Sequence, residues 1–406
     1  MRRASLLLAF VLAAACSEGG GPVDPIQPPP PVRSDTVEAR ALWVSRFEYS
    51  TAADITRILT DAKTANFNIV YLQVRGVADA LYVSDLEPCS TRLCGGKLGG
   101  RPTWDPLAHA VTEAKARGIQ LHAWINAFIG WTATNSTTCG WLQESEPGQP
   151  RHILLDNPSF KVVDETGAVM QCPNTEGSLW LSPGIPGVRT RIARVGADIA
   201  RRYEVHGIHL DFIRYPGLTW SHDAPSLAEF GFDPKTNPAA WDQFRRDQVT
   251  AAVREAHDSL LAAKPAAVLS AAVWGIYKDR FGWNSSRGFD QYFQDPPAWT
   301  SAGLLDVAVP MIYWRTRSAY CDYTDWTCLV DDHKALHQAS GRHVYMGMNA
   351  ELGAAEMVYQ ITIGRDKGVK GFSIFSYGSA RNTGLFPLLA TGVFRLPARV
   401  PTMSWK

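Results

Sequence analysis

The stretch KARGIQLHAW, Lys115 to Trp124, holds the pattern on which the fold turns. Its basic opening ends a helical pattern running from Pro106 to Ala116, Gly118 supplies the residue that stops a helix, and an apolar strand follows at once. KGVKGFSIF, residues 367–375, repeats the device with Gly368. A helix that hands its chain directly to an apolar strand is the unit of a parallel sheet buried on both faces. Working outward, the apolar runs predict strands at Ala41–Val44, Ile69–Val74, Gln120–Trp124, Gly207–Asp211, Val268–Val273, Asp306–Met311, His343–Gly347 and Gly371–Phe375. Apolar positions three and four apart predict helices at Ala53–Ala65, Val188–Tyr203, Ala239–Ala262 and Ala354–Lys367 as well. Eight such repeats is the count that closes a barrel, so the expected fold is α/β: a single (β/α)8 TIM barrel with long loops at the C-terminal face of its strands. A doubly wound open sheet is the alternative, but no glycine-rich phosphate loop follows the first strand.

The chain of 406 residues is 46% hydrophobic, enough for a real core, and its formal net charge is +1. With no overall field and no Lys/Arg run, nucleic acid is excluded as an expected partner. MRRASLLLAFVLAAAC at the N-terminus reads as a signal peptide over residues 1–15, and LAAAC looks like a lipoprotein acylation site at Cys16. The other reading is a plain signal peptide with a chance cysteine. Residues 16–37 are a Gly/Pro-rich tether, which makes sense downstream of an anchor. The expectation is an exported lipoprotein of the bacterial cell envelope, held to the membrane by its acyl group, with the barrel over residues 38–397 and a tail at 398–406. Six cysteines remain, an even number in an exported chain. Tight spacing pairs Cys89 with Cys94 and Cys321 with Cys328, which leaves Cys139 with Cys172. A zinc site is the rival reading, but no CxxC pair occurs, and no metal is expected.

In a barrel of this kind the chemistry sits where strands end. The fourth strand reads GIHLDFIRYP, Gly207 to Pro216, and carries Asp211 at its outgoing end with Arg214 three residues on. This segment resembles the GIHxDxxxYP signature of the glycosyl hydrolase-like 10 family, bacterial envelope proteins with a (β/α)8 barrel. RALWVSRF resembles that family's RGxWV opening, NIVYLQVRGVADALY its second strand with QVR, and GIQLHAWINAF its third with HAWxN. QYFQDPPAWTSAGLLDVAVPMIYW is similar to its YQDWxxW…G…D…PMxY segment, so the likeness runs from about Arg40 to about Gly378. The resemblance implies hydrolysis of O-glycosidic bonds in a cell-wall or other envelope polysaccharide, and no cofactor is expected. The chain departs from the GIHFDD form of many members, with Phe212 where a second acid would stand.

Glycoside hydrolysis ordinarily uses two carboxyl groups, one to protonate the leaving oxygen and one to attack or to activate water. Asp211 is the first expected catalytic residue, as nucleophile or base, unless it forms only a buried ion pair with Arg214. Its partner is Glu351, Asp295 or Glu48, each following a strand; Asp295 and Glu351 have the alternative duty of capping a helix. Asp306 opens its strand at the barrel floor and is expected to be structural. A pyranose offers a CH face for stacking and hydroxyls for hydrogen bonds, and the chain has 14 Trp. The expected substrate-binding residues are Arg75, Trp124, Asn126, His209, Arg214, Tyr215, Trp274, Tyr313, Trp314, Asn349 and Tyr377. His209 has the alternative of packing inside the barrel. His333 and His337, four apart without an HExxH glutamate, read as a solvated helix face, and no GxSxG elbow points to a serine esterase. The second function class is a carbohydrate-binding envelope lipoprotein that does no catalysis.

Overall fold

Each expected apolar run is a strand: β1 (Ala39–Val44), β2 (Ile69–Arg75), β3 (Gln120–Asn126), β4 (Gly207–Asp211), β5 (Val268–Trp274), β6 (Val307–Met311), β7 (His343–Val344 and Met346–Asn349) and β8 (Gly371–Phe375). The computed structural model describes residues 36–317 and 320–406; Cys16, the apolar leader and the tether to residue 35 lie outside the described residues. Neighbouring strands pair in parallel around the whole ring, and β8 returns to β1 through Ala39 opposite Gly371. The fold is a (β/α)8 barrel. Helices Ala52–Thr64, Pro106–Arg117, Pro186–Arg202, Pro238–Ala263, Trp326–His337 and Ala354–Asp366 pack outside it. Local chemistry starts and stops them: Thr51 and Asp54 form a capping box, Asp105 caps the next helix, and Gly118 ends it at φ 63°.

The ring closes between β6 and β7, where Pro310 lacks an N–H to donate. Pairing resumes past it with Met311 opposite Gly347, and Ile312 N donates to Gly347 O at 3.1 Å. A Cβ at Gly347 would stand 2.5 Å from Pro310 O and 3.2 Å from the Trp43 ring, so only glycine lets the strands meet. Inside, Trp43 Nε1 donates to His209 Nε2 at 2.9 Å, and the other ring nitrogen of His209 lies 2.9 Å from Ser270 Oγ. Tyr71 stacks on His209 with centroids 4.1 Å apart.

At the floor, Asp306 accepts from Leu269 N at 2.9 Å and Trp405 Nε1 at 2.8 Å and pairs with Arg342 and Lys406, the structural duty expected of it. Residues 398–406 are therefore bound to the barrel, and Glu38 N donates to Arg399 O at 2.9 Å. The three expected disulfides are present, Cys89–Cys94, Cys139–Cys172 and Cys321–Cys328. They staple the loops after β2, β3 and β6, all on the mouth side. The long connection from β3 to β4 adds an antiparallel pair, Ile129–Thr132 with Ser178–Trp180, over that mouth.

His333 and His337 are not a solvated face. Their helix turns them inward, so that His333 Nε2 bonds Gly275 O and His337 Nδ1 bonds Thr300 Oγ1, each at 2.9 Å. A four-residue spacing fixes that two side chains share a face, not which way the face points.

Gly347→Ala, which drives a methyl into a backbone carbonyl, should cost about 1–3 kcal/mol or more in urea unfolding; an unchanged midpoint would show that the seam is slack. Burial holds His122 down to about 3 and His333 to about 4. Folded-state values below the unfolded one mean that stability is complete above the unfolded value, about 6.5, and is lost as pH falls below it. His122→Phe should flatten the decline of melting temperature between pH 6.5 and 4, and an unaltered slope would assign the decline to other groups.

Candidate active site

A cavity of about 370 Å³ opens at the C-terminal mouth of the barrel. Every strand except the split β7 contributes a lining residue in or just past its C-terminal half: Trp43, Ser45, Arg46 and Phe47 from β1 and its loop, Gln73, Trp124 and Asn126, Asp211, Phe212 and Arg214, Ala272, Met311 with Tyr313, and Phe375 of β8. Ser178 reaches it from the antiparallel excursion. Among the described residues, Asp211 is the one carboxyl group on this wall.

The chain turns sharply to present it. Phe212 adopts φ 50°, a left-handed conformation unusual for a bulky side chain, and its N–H donates back to Asp211 Oδ1 at 2.6 Å. The Phe212 ring stacks at 4.4 Å from the Arg214 guanidinium carbon, with the Trp274 ring at 5.3 Å and the Trp180 ring at 5.8 Å. Boxed by these rings, Arg214 lies 3.7 Å from Asp211 Oδ1 and makes no hydrogen bond among the described residues; its Nη1 is buried without a partner. Burial pushes the Asp211 carboxyl up from its ordinary value, against the pull of Arg214, the Phe212 amide and the Trp124 indole. Tyr313, which stacks on Phe375 at 5.8 Å, is pushed well above the ordinary phenol range by burial and then by Asp211, so it presents a neutral hydroxyl.

Behind this wall a polar lattice fixes the lining. Asn126 Oδ1 accepts from Trp124 Nε1 at 3.0 Å and Gln73 Nε2 at 3.1 Å, and Asn126 Nδ2 donates to Gly76 O at 3.1 Å. Gln73 Oε1 accepts from Arg46 N at 3.0 Å and so holds the loop after β1.

Of the expected site residues, Asp211, Trp124, Asn126, Arg214 and Tyr313 line the cavity and the others do not. His209 lies one layer deeper, fully buried with both ring nitrogens engaged, the packing alternative left open for it. Arg75 is also sealed in, its guanidinium on the carbonyls of Asn126 and Ala127 and paired with Glu87 at 3.3 Å. Tyr215 OH accepts from Ser221 Oγ behind the wall, and Tyr377 OH donates outward to Asp61 at 2.7 Å. Trp274 backs Arg214 and donates to Ser286 O, while Trp314 packs against Gly275. Asn349 caps the short turn Ala350–Leu352 by accepting from Glu351 N. Among the partner acids, Asp295 caps helix Pro296–Ser301 and accepts from Tyr277 OH at 2.9 Å, and Glu351 is exposed beside Ser379. Glu48 accepts from Ser45 N at 2.6 Å, Ser376 Oγ at 2.7 Å and Gly378 N at 2.5 Å, joining the loops after β1 and β8. The sequence reading missed Trp43, Arg46, Phe47, Gln73 and Phe375. Trp43 stands at the exit of β1 as Trp124 does at that of β3, which was the available signal.

A parallel eight-stranded barrel with a desolvated carboxyl at the mouth of its fourth strand defines a TIM-barrel protein with a candidate acid–base group at its mouth. The chain belongs to the glycosyl hydrolase-like 10 family, whose model matches residues 38–354. It is 28% identical over 366 residues to the glycosyl hydrolase YngK of Bacillus subtilis, covering 86% of this chain and 68% of that protein. It is 26% identical over 364 residues to the glycosyl hydrolase DigH of Escherichia coli K12, covering 80% and 79%. Among solved structures, the glycoside hydrolase domain of PgaB (BpsB) from Bordetella bronchiseptica superposes with a TM-score of 0.62 at 14% identity, over 88% of this chain and 99% of that one. The catalytic domain of β-amylase from Paenibacillus polymyxa superposes with a TM-score of 0.53 at 13% identity, over 85% and 94%. These two share the barrel.

Because Arg214 pulls the Asp211 carboxyl down against burial, Arg214→Met should raise its pKa further. Carboxyl carbon NMR titration, assigned by comparison with Asp211→Asn, reads this directly; a lower value would mean that Arg214 does not act on Asp211.

Proposed function

We propose that the chain is a glycosidase that hydrolyses O-glycosidic bonds of a bacterial cell-wall or envelope polysaccharide, with Asp211 at the reaction centre. The observation that carries this reading is the placement of one desolvated carboxyl group, Asp211, on the cavity wall of a barrel of this family. A carboxyl group whose proton is held above its ordinary range is suited to give that proton to a leaving glycosidic oxygen and to take it back from water. Trp43, Trp124, Phe47 and Phe375 supply apolar faces for the CH side of a pyranose, and Ser45, Ser178 and Tyr313 supply hydroxyl groups. The second carboxylate is Glu48 in this reading, since of the three partner acids it alone sits on a segment whose neighbours, Ser45 to Phe47, line the cavity. The apolar leader and Cys16 support an acyl anchor at the envelope, close to such a polymer.

A carbohydrate-binding protein without catalysis is the second reading, and it is favoured by one fact: among the described residues no other carboxyl group shares the wall with Asp211. Turnover separates the two. On peptidoglycan glycan strands and other envelope polysaccharides, the wild-type protein should release reducing ends, and Asp211→Asn should lower the rate about 10²–10⁴-fold with unchanged circular dichroism and melting temperature. Glu48→Gln should lower it as well. A wild-type protein that binds these polymers and releases no ends, or an Asp211→Asn protein as fast as the wild type, would establish the second reading or remove Asp211 from the chemistry.

A further inference from the structure

The cavity wall carries two guanidinium groups against one carboxyl group. Arg214 is only 8% exposed, yet it donates no hydrogen bond among the described residues, and its 3.7 Å approach to Asp211 is too long to be one. Arg46, on the loop after β1, lines the same cavity. Its guanidinium has neither a hydrogen bond nor an ion pair among the described residues, and its contact is the Phe47 ring at 4.7 Å, which Arg92 also covers at 4.9 Å. The acid that acts on its charge, Asp79, has Oδ1 occupied by the amides of Val77 and Gly76 at 2.9 and 3.3 Å. A Cβ at Gly76 would collide with the Arg46 guanidinium, so the residue after the QVR motif leaves room for that head group. Burial disfavours the charge on both arginines. A protein that keeps two largely desolvated guanidinium groups without hydrogen bonds at one cavity, only one of them facing a carboxylate and that at 3.7 Å, bears a standing electrostatic cost, and the arriving ligand is what can relieve it.

We propose that Arg46 and Arg214 form an anion subsite that reads a carboxylate on the sugar bound in this cavity. The substrate class is thus an acidic glycan, and the assignment rests on the glycosidase reading above. The planar fork of arginine matches a carboxylate, and the flanking aromatic faces receive the ring that carries it. A dianionic phosphate fits less well, because Asp211 stands beside Arg214 and would face two negative charges. The bound carboxylate also offsets the pull of Arg214 on Asp211, which favours the protonated acid when substrate is present. Two sources share this chemistry: a uronic acid, and a hexosamine bearing a lactyl ether, as in cell-wall glycan freed of peptides.

The test measures binding by calorimetry to the full-length protein, with Asp211→Asn used where a ligand is cleaved. The probes are oligoglucuronates and peptide-free cell-wall oligosaccharides, each beside its carboxyl-reduced counterpart. For at least one source, the acid should bind about 10–100-fold more tightly than its reduced form, the range expected of hydrogen bonds to a charged group. Which source shows the preference identifies the sugar. Arg46→Gln and Arg214→Gln should each erase most of it, and Arg46→Gln alone carries the test if the boxed Arg214 variant fails to fold. Equal binding of acid and reduced forms, no binding of either, or a preference that survives Arg46→Gln would each overturn the subsite. Hydrolysis is scored separately: cleavage of neutral and acidic glycans alike leaves the glycosidase standing without the subsite. A carboxylate preference without any cleavage leaves the subsite standing without the glycosidase.

Discussion

An eight-stranded sheet becomes a barrel only if its last seam can close, and here the seam runs along a strand that contains Pro310. The missing N–H and the rigid ring break the ladder in mid-strand, so the seam is paired in two short pieces, Val307 and Ala308 opposite His343 and Val344 before the proline and Met311 opposite Gly347 beyond it. Gly347 allows the backbones to approach, and the bulk that would otherwise fill the gap comes from across the barrel as Trp43. That indole in turn holds His209 in one tautomer, with Nε2 accepting and Nδ1 facing Ser270. The interior layer is thus a consequence of the seam, and the mouth rests on that layer. Met311 and Tyr313, which leave β6 just past the proline, and Phe375 beside them, form one wall of the cavity.

At the end of β4 the chain accepts unfavourable local terms. Phe212 takes a left-handed backbone, Arg214 is surrounded by ring faces in place of acceptors, and Asp211 is desolvated. Each is expensive alone, of the order of 1–3 kcal/mol for the backbone. Together they make a consistent device. The turn at Phe212 aims the carboxyl into the cavity and lays a ring on Arg214, and the rings keep water from the guanidinium so that its charge acts on Asp211 through a poor dielectric. A large, well-bonded barrel can carry such a site because the cost is borne by the rest of the fold.

The barrel was legible because parallel strands buried on both faces read as unbroken apolar runs, and Gly118 and Gly368 mark where helices yield to them. Asp211 was legible because it is the acid at the end of such a run. Depth was not. His209 and Asp211, two residues apart, point to the same side of β4, but the alternation of a strand gives direction without height, and one lies in the packed layer while the other reaches the mouth. Tyr377 and Phe375 show the same limit at β8, where the chain enters a helix and the tyrosine turns away to Asp61. Ser178 and Trp180 come from an excursion inside the β3–β4 connection, and nothing in their local pattern tells that this pair folds back over the mouth. Arg46 carried no signal of its own; its place is visible only once Gly76 is seen beneath it.

Glu48 shows how support and chemistry share one residue. Its two oxygens receive three donors, from the loops after β1 and β8, which are neighbours in the ring. This clamp fixes the loop that presents Arg46 and Phe47, so removing the carboxylate would loosen the rim whether or not Glu48 touches a sugar. Glu48→Gln keeps the shape and one acceptor but turns the other into a donor facing donors. A lost rate in that variant therefore has two physical meanings, separated by the binding of an acidic glycan. A displaced rim moves Arg46 and weakens binding together with turnover, whereas a missing nucleophile or base lowers turnover and leaves affinity in place.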